Sequence, residues 1–127
     1  MTITATIGYV LAGVIAAAII FIGARFLVAP RVAVAGYGVL ADADQPETRA
    51  YLSVKGIRDI ASGLLVIVVM IAGTTHLLGW IILAATIIPL VDAAIVLRSG
   101  GAKSTAYGVH GATAAVMLVT TALLLLS

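Results

Sequence analysis

Three ionisable residues interrupt otherwise apolar stretches of this chain: Asp59, Asp92 and His110. Asp59 lies four residues past Lys55, Asp92 six before Arg98 and His110 seven past Lys103. On helices rising 1.5 Å per residue, those offsets put all three roughly 6 to 10 Å beyond their basic neighbours, in one layer. Two carboxyls and an imidazole are the groups of general acid–base chemistry, with Arg58 suited to steadying developing negative charge. The same carboxylates, set near Arg25, Lys55 and Arg58, also suit ion pairing that holds helices in register. An ionised carboxylate within hydrocarbon costs on the order of 2.5 kcal/mol or more, so either reading must explain why two are kept. Metal and haem chemistry have no foothold, because His76 falls at the opposite end from His110 and cysteine is absent. No HExxH, phosphate-loop or GxSxG pattern occurs, and no cofactor is implied.

The elements that must position these residues are apolar helices. The chain has 127 residues, 63% hydrophobic and 9% charged, with a mean hydropathy of +1.26. No soluble domain of this size has interior enough for that apolar surface, so lipid must cover the remainder. The predicted fold is an all-α bundle of four transmembrane helices in two hairpins, one polytopic domain over 1–127, with helices at about 3–28, 47–73, 75–98 and 105–126. Residues 2–24 carry no charge and no basic residue precedes them, unlike a cleavable signal, so they read as a permanent helix. Pro30 closes that helix, and a polar connection follows from about Arg31 to Tyr51. Asp44-Gln45-Pro46-Glu47 marks the next start, with Asp44 as cap and Pro46 in the first turn. Gly73-Thr74-Thr75 makes a tight turn, with Thr74 or Thr75 capping the third helix. Gly100-Gly101 stops that helix, and Ser104 or Thr105 starts the fourth.

All seven basic residues (Arg25, Arg31, Arg49, Lys55, Arg58, Arg98 and Lys103) belong to one side of this topology. Cytoplasmic loops retain Lys and Arg, which predicts an inner-membrane protein with both termini outside. Tyr9 and Trp80 fall near the outer boundary, and Tyr37, Tyr51 and Tyr107 near the inner one, where amphipathic rings belong. The net charge of +2 and pI near 9.3 therefore report topology, and no contiguous patch addresses nucleic acid.

Periodicity indicates which faces turn inward. Gly56, Asp59 and Gly63 share one face of the second helix, and Ala85, Pro89 and Asp92 one face of the third. Pro89 lacks the amide that would meet the Ala85 carbonyl, and so predicts a bend. On the fourth helix the stripe Lys103, Tyr107, His110, Thr113 or Ala114, Met117 and Thr121 is too polar to face acyl chains. Gly8, Ala12 and Ala16, with Gly13 and Ala17, let backbones approach closely, within the chain or in a homo-oligomer.

The stretch Arg25-Phe26-Leu27-Val28-Ala29-Pro30, with Lys55-Gly56-Ile57-Arg58-Asp59-Ile60-Ala61-Ser62-Gly63, resembles a family of small four-helix membrane proteins known as a domain of unknown function, distantly similar to DoxX/DoxD-like proteins. The resemblance implies a four-helix bundle with a polar site at Arg25, Lys55, Arg58 and Asp59, and it supplies no reaction.

Three functions compete. One is binding of an amphipathic or lipid-like small molecule whose polar end meets Arg25, Lys55, Arg58 and Tyr107 while its tail lies among the helices. Another is a membrane-embedded hydrolase or isomerase using Asp92, His110 and Asp59 as acid or base. The last is an accessory subunit of a larger membrane complex. A transporter fits less well, because one four-helix unit leaves little room for alternating access without dimerising.

Overall fold

The computed structural model describes residues 1–127, and every regular element in it is helical. Five helices follow one another: α1 Ile3–Val28, α2 Pro30–Tyr37, α3 Pro46–Ala72, α4 Thr75–Arg98 and α5 Lys103–Leu125. Helices α1, α4 and α5 are long and apolar enough to cross a membrane, which marks this as a membrane protein. Helix α3 is as long as α1 but carries Lys55, Arg58 and Asp59 in its middle turns.

The helix ends follow local chemistry, with three departures from expectation. Thr2 caps α1 by accepting from the Ala5 amide at 3.0 Å, and Thr74 caps α4 through the Leu77 amide at 3.1 Å. The first departure is that Pro30 opens a helix as well as closing one. Residues 30–37, expected within a polar connection, form α2, because proline suits a first helical turn and Ala33 and Val34 gain burial. The second is that Asp44 does not cap α3. Gln45 stands at that position, while Asp44 turns away to pair with Arg31. The third is that α5 begins at Lys103, behind Ala102 rather than Ser104 or Thr105, with no side-chain cap.

Two helices carry internal irregularities. Helix α4 breaks at Thr86, where Pro89 offers no amide to the Ala85 carbonyl and the buried Thr86 hydroxyl donates to the Ile82 carbonyl at 2.8 Å. Helix α5 widens into a π-helical turn over Ala106–Gly111, which contains His110. The wider turn carries the buried stripe through Ala106 and His110 and leaves Tyr107 outside it.

Packing is asymmetric. Helices α1 and α3 share the most extensive contact, because glycines let their backbones meet. A methyl group on Gly56 would lie 2.6 Å from the Gly23 carbonyl oxygen, and one on Gly63 would lie 2.8 Å from that of Ala16. Helix α1 also packs on α5, and α5 on both halves of α4. Helix α3 touches the first half of α4 beyond the Gly73 turn but scarcely meets the second half. The helices therefore run in the order α3, α1, α5, α4 around a space left open between α3 and Ile87–Arg98.

Two apolar cores bracket that space. One holds Ala12, Ala16, Val66, Leu78, Ile82, Met117 and Leu124. The other, at the end where the basic residues gather, holds Phe26, Ala33, Val34, Ala43 and Leu52 beneath α2.

The α1–α3 seam should be intolerant of added volume. Gly56→Ala is expected to lower stability in detergent by about 1–3 kcal/mol, the usual cost of overpacking. Gly36→Ala, whose added carbon meets nothing within 4 Å, should not. Thermal unfolding of the two variants side by side checks this.

Candidate functional site

Between the helices lies a cavity of about 750 Å³ whose wall draws on all five. Its ionisable groups sit toward one end: Arg25 from α1, Tyr37 from α2, Lys55 and Asp59 from α3, Asp92 from α4 and His110 from α5. Its other wall is built from aliphatic side chains such as Val14, Ile15, Ile19, Leu65, Ile81 and Val116. A second, shallower groove of about 370 Å³ lies outside the same polar end. Tyr37, Lys55, Asp59, Ile88 and Asp92 line both spaces, so the polar tier stands at the threshold between them. Tyr51, Val54 and Arg58 complete the outer groove.

The tier is built around Lys55. Its ammonium donates to Asp59 Oδ2 at 2.7 Å, one helical turn away. It also sits 4.6 Å from the ring centroids of both Phe26 and Tyr37. A cation over two aromatic faces and against a carboxylate exchanges water for fixed partners, which suits a place where water is scarce. The side chains of Lys55 and Asp59 keep only 26% and 13% of their exposure, whereas Arg31 and Asp44 keep 77% and 59%. Only the Lys55 pair is withdrawn enough from solvent for its attraction to escape most screening.

Tyr37 joins three elements. Its ring meets Phe26 edge to face at 6.0 Å and His110 at 4.6 Å. Its backbone carbonyl lies 2.7 Å from His110 Nε2. A carbonyl only accepts, so Nε2 carries the proton and donates. Burial, and then the adjacent Asp92 and Asp59 carboxylates, push the Tyr37 hydroxyl above the usual phenol range, so it stays neutral beside Asp92. The end of α2 is seated as well. Gly38 adopts a φ of +100°, and a side chain there would strike Val96 near the end of α4 and Thr105 at the start of α5.

The residues singled out in the sequence divide into two groups. Asp59, Asp92, His110, Arg25 and Lys55 all reach the cavity. Arg58 does not; it lies on the exposed side of α3 and lines only the outer groove. Tyr107 reaches neither space and is 63% exposed, because the π-helical turn moves the inward stripe off it. The expected counter-charges also differ. Lys55 pairs with Asp59, but neither Arg25 nor Arg58 forms an ion pair, and Asp92 has no basic partner. The half-buried Arg25 instead places its guanidinium 5.7 Å from the ring of Phe21, which is itself exposed.

Tyr37 and Phe26 are the site residues that spacing did not mark. The available signal was Pro30 followed by Ala33, Val34 and Tyr37, an apolar face for a short helix that begins at proline.

Residues 16–124 match the family described as "Domain of unknown function (DUF4267)". The chain belongs to that family. No curated protein and no solved structure matches it. The match spans the polar tier, from Arg25 and Phe26 on α1 to His110 on α5.

The docking of α2 depends on His110. His110→Phe keeps a ring against Tyr37 but strands the carbonyl, which should cost roughly 1–3 kcal/mol and speed amide hydrogen exchange over residues 30–37. Arg31→Ala, which removes only an exposed pair that solvent screens, should leave the thermal unfolding midpoint and the exchange over residues 30–37 essentially unchanged.

Proposed function

We propose that this chain crosses the plasma (inner) membrane four times, with both termini outside, and binds a small amphipathic, lipid-like molecule in the cavity. The observation that carries this reading is the division of one cavity of about 750 Å³ into a polar end and an aliphatic body. That volume lies within the range of ordinary ligand sites, which are mostly apolar with a few convergent polar groups. The body would take an acyl or similar tail, and the end formed by Lys55, Asp59, Tyr37 and Asp92 would orient the head. Entry between α3 and α4 suits a ligand dissolved in the bilayer, since both flanking helices present aliphatic side chains there.

The fourth crossing is α3. Its charges are confined to the first half, residues 60–72 carry none, and its contact along α1 keeps it alongside and antiparallel to a helix of spanning length. Lys55 and Asp59 neutralise each other, which lowers the cost of placing that half within the membrane boundary. The orientation follows from the seven basic residues at one end.

The acid–base alternative has weaker support. His110 spends Nε2 on the Tyr37 carbonyl and Asp59 is held by Lys55, leaving Asp92 without a second free catalytic partner. The subunit reading rests on exposed apolar side chains such as Val14, Leu65 and Ile88, which lipid covers equally well.

Two measurements test the proposal. Native mass spectrometry of gently purified protein should show a retained amphiphile that Ala85→Phe, which projects a ring into the cavity, displaces while thermal stability holds. A retained mass indifferent to Ala85→Phe counts against the cavity as its site. The chain has no cysteine, so single substitutions report topology cleanly. His76→Cys should react with an impermeant maleimide in intact cells and Ser99→Cys only after permeabilisation; the reverse pattern inverts the orientation.

A further inference from the structure

We propose that the head group of the ligand is an amine or ammonium that pairs with Asp92, so that the cavity takes cationic amphiphiles in preference to fatty acids or alcohols of equal length. This rests on the cavity being a ligand site. It follows from accounting for each ionisable group that lines the cavity; Arg58, on the exposed side of α3, lines only the groove outside it.

On α3, Lys55 and Asp59 satisfy each other at 2.7 Å, and Phe26 and Tyr37 cover the ammonium. On α1, Arg25 is drawn over the Phe21 ring, which is not part of the cavity wall. That leaves its guanidinium a route to the lipid–water boundary. On α5, His110 directs its Nε2 proton at the Tyr37 carbonyl. On α2, the Tyr37 hydroxyl stands beside Asp92 as a neutral group. What remains is Asp92, a half-buried carboxyl on α4 with no ion pair, at the threshold shared by cavity and groove.

A carboxylate so placed gains most from a partner that brings both positive charge and donors. A fatty acid would set a second carboxylate against Asp92 and Asp59, and like charges in low dielectric repel strongly. An alcohol could donate one hydrogen bond but would leave the charge uncompensated. An ammonium does both, and the Lys55 cage shows that this end of the cavity already accommodates one such group against a carboxylate and aromatic rings.

The experiment compares dodecylamine, dodecanol and dodecanoate as ligands for the full chain in a neutral detergent, read by native mass spectrometry and thermal shift. Dodecylamine should bind about tenfold or more tightly than the other two; Asp92→Asn should abolish that preference and Asp92→Glu should keep it. Ala85→Phe should weaken all three together. If dodecanol or dodecanoate binds as well as the amine, or Asp92→Asn leaves the amine's affinity unchanged, the head-group assignment is overturned while sensitivity to Ala85→Phe keeps the cavity reading standing. Binding of none of the three, or binding indifferent to Ala85→Phe, overturns both.

Discussion

The close approach of α1 to α3 is the constraint from which the rest of the architecture follows. Gly23, Gly56 and Gly63 let two backbones meet where any side chain would collide with a carbonyl. In a membrane this contact is worth making for dispersion alone, since water supplies no hydrophobic drive between helices. It has a geometric consequence. Helix α3 is drawn to α1 on one side, and the second half of α4 is held by α5 on the other. The space between them is bounded on one side by the glycine seam, which also turns Lys55 and Asp59, the neighbours of Gly56, toward Phe26 and the cavity.

Polar groups in this setting sort themselves by what satisfies them. Lys55 finds a carboxylate and two rings, His110 finds a carbonyl, and Arg25 finds a ring at the outer surface. Each arrangement removes a cost that lipid or a dry cavity would otherwise impose. Helix α2 belongs to the same logic, because it brings Tyr37 over the tier and is itself secured by His110 below and by the Gly38 seat at its end. Asp92 is the group for which the chain provides no charge of its own.

The all-helical class was legible because long uncharged runs leave no other way to satisfy the backbone. The family was legible from the Arg25–Pro30 and Lys55–Gly63 stretches, each of which turns out to contribute to the cavity wall. The grouping was also readable, since the residues counted from Lys55, Arg98 and Lys103, namely Asp59, Asp92 and His110, line one and the same space. Direction around a helix was harder. A stripe counted with a regular α-helical period put Tyr107 beside His110, but the π-helical turn changes the period at that point. Pairing was hardest of all: three basic residues lay within reach of two acids by sequence, and only Lys55 made a bond, because only its side chain lies a turn from Asp59 on the buried face. Helix α2 was hidden for a different reason. A proline that ends one helix is usually taken as punctuation, and here it also begins the next.

The opening between α3 and the second half of α4 has a thermodynamic corollary. On the proposed ligand-binding reading, a doorway flanked by aliphatic side chains would communicate with solutes dissolved among the acyl chains, whose chemical potential depends on mole fraction in that phase. Partitioning would enrich an oily solute by orders of magnitude over its aqueous level before it met the protein. Even a weak intrinsic association could then keep the interior filled, and apparent constants would drift with the amount of lipid or detergent rather than with the volume of buffer.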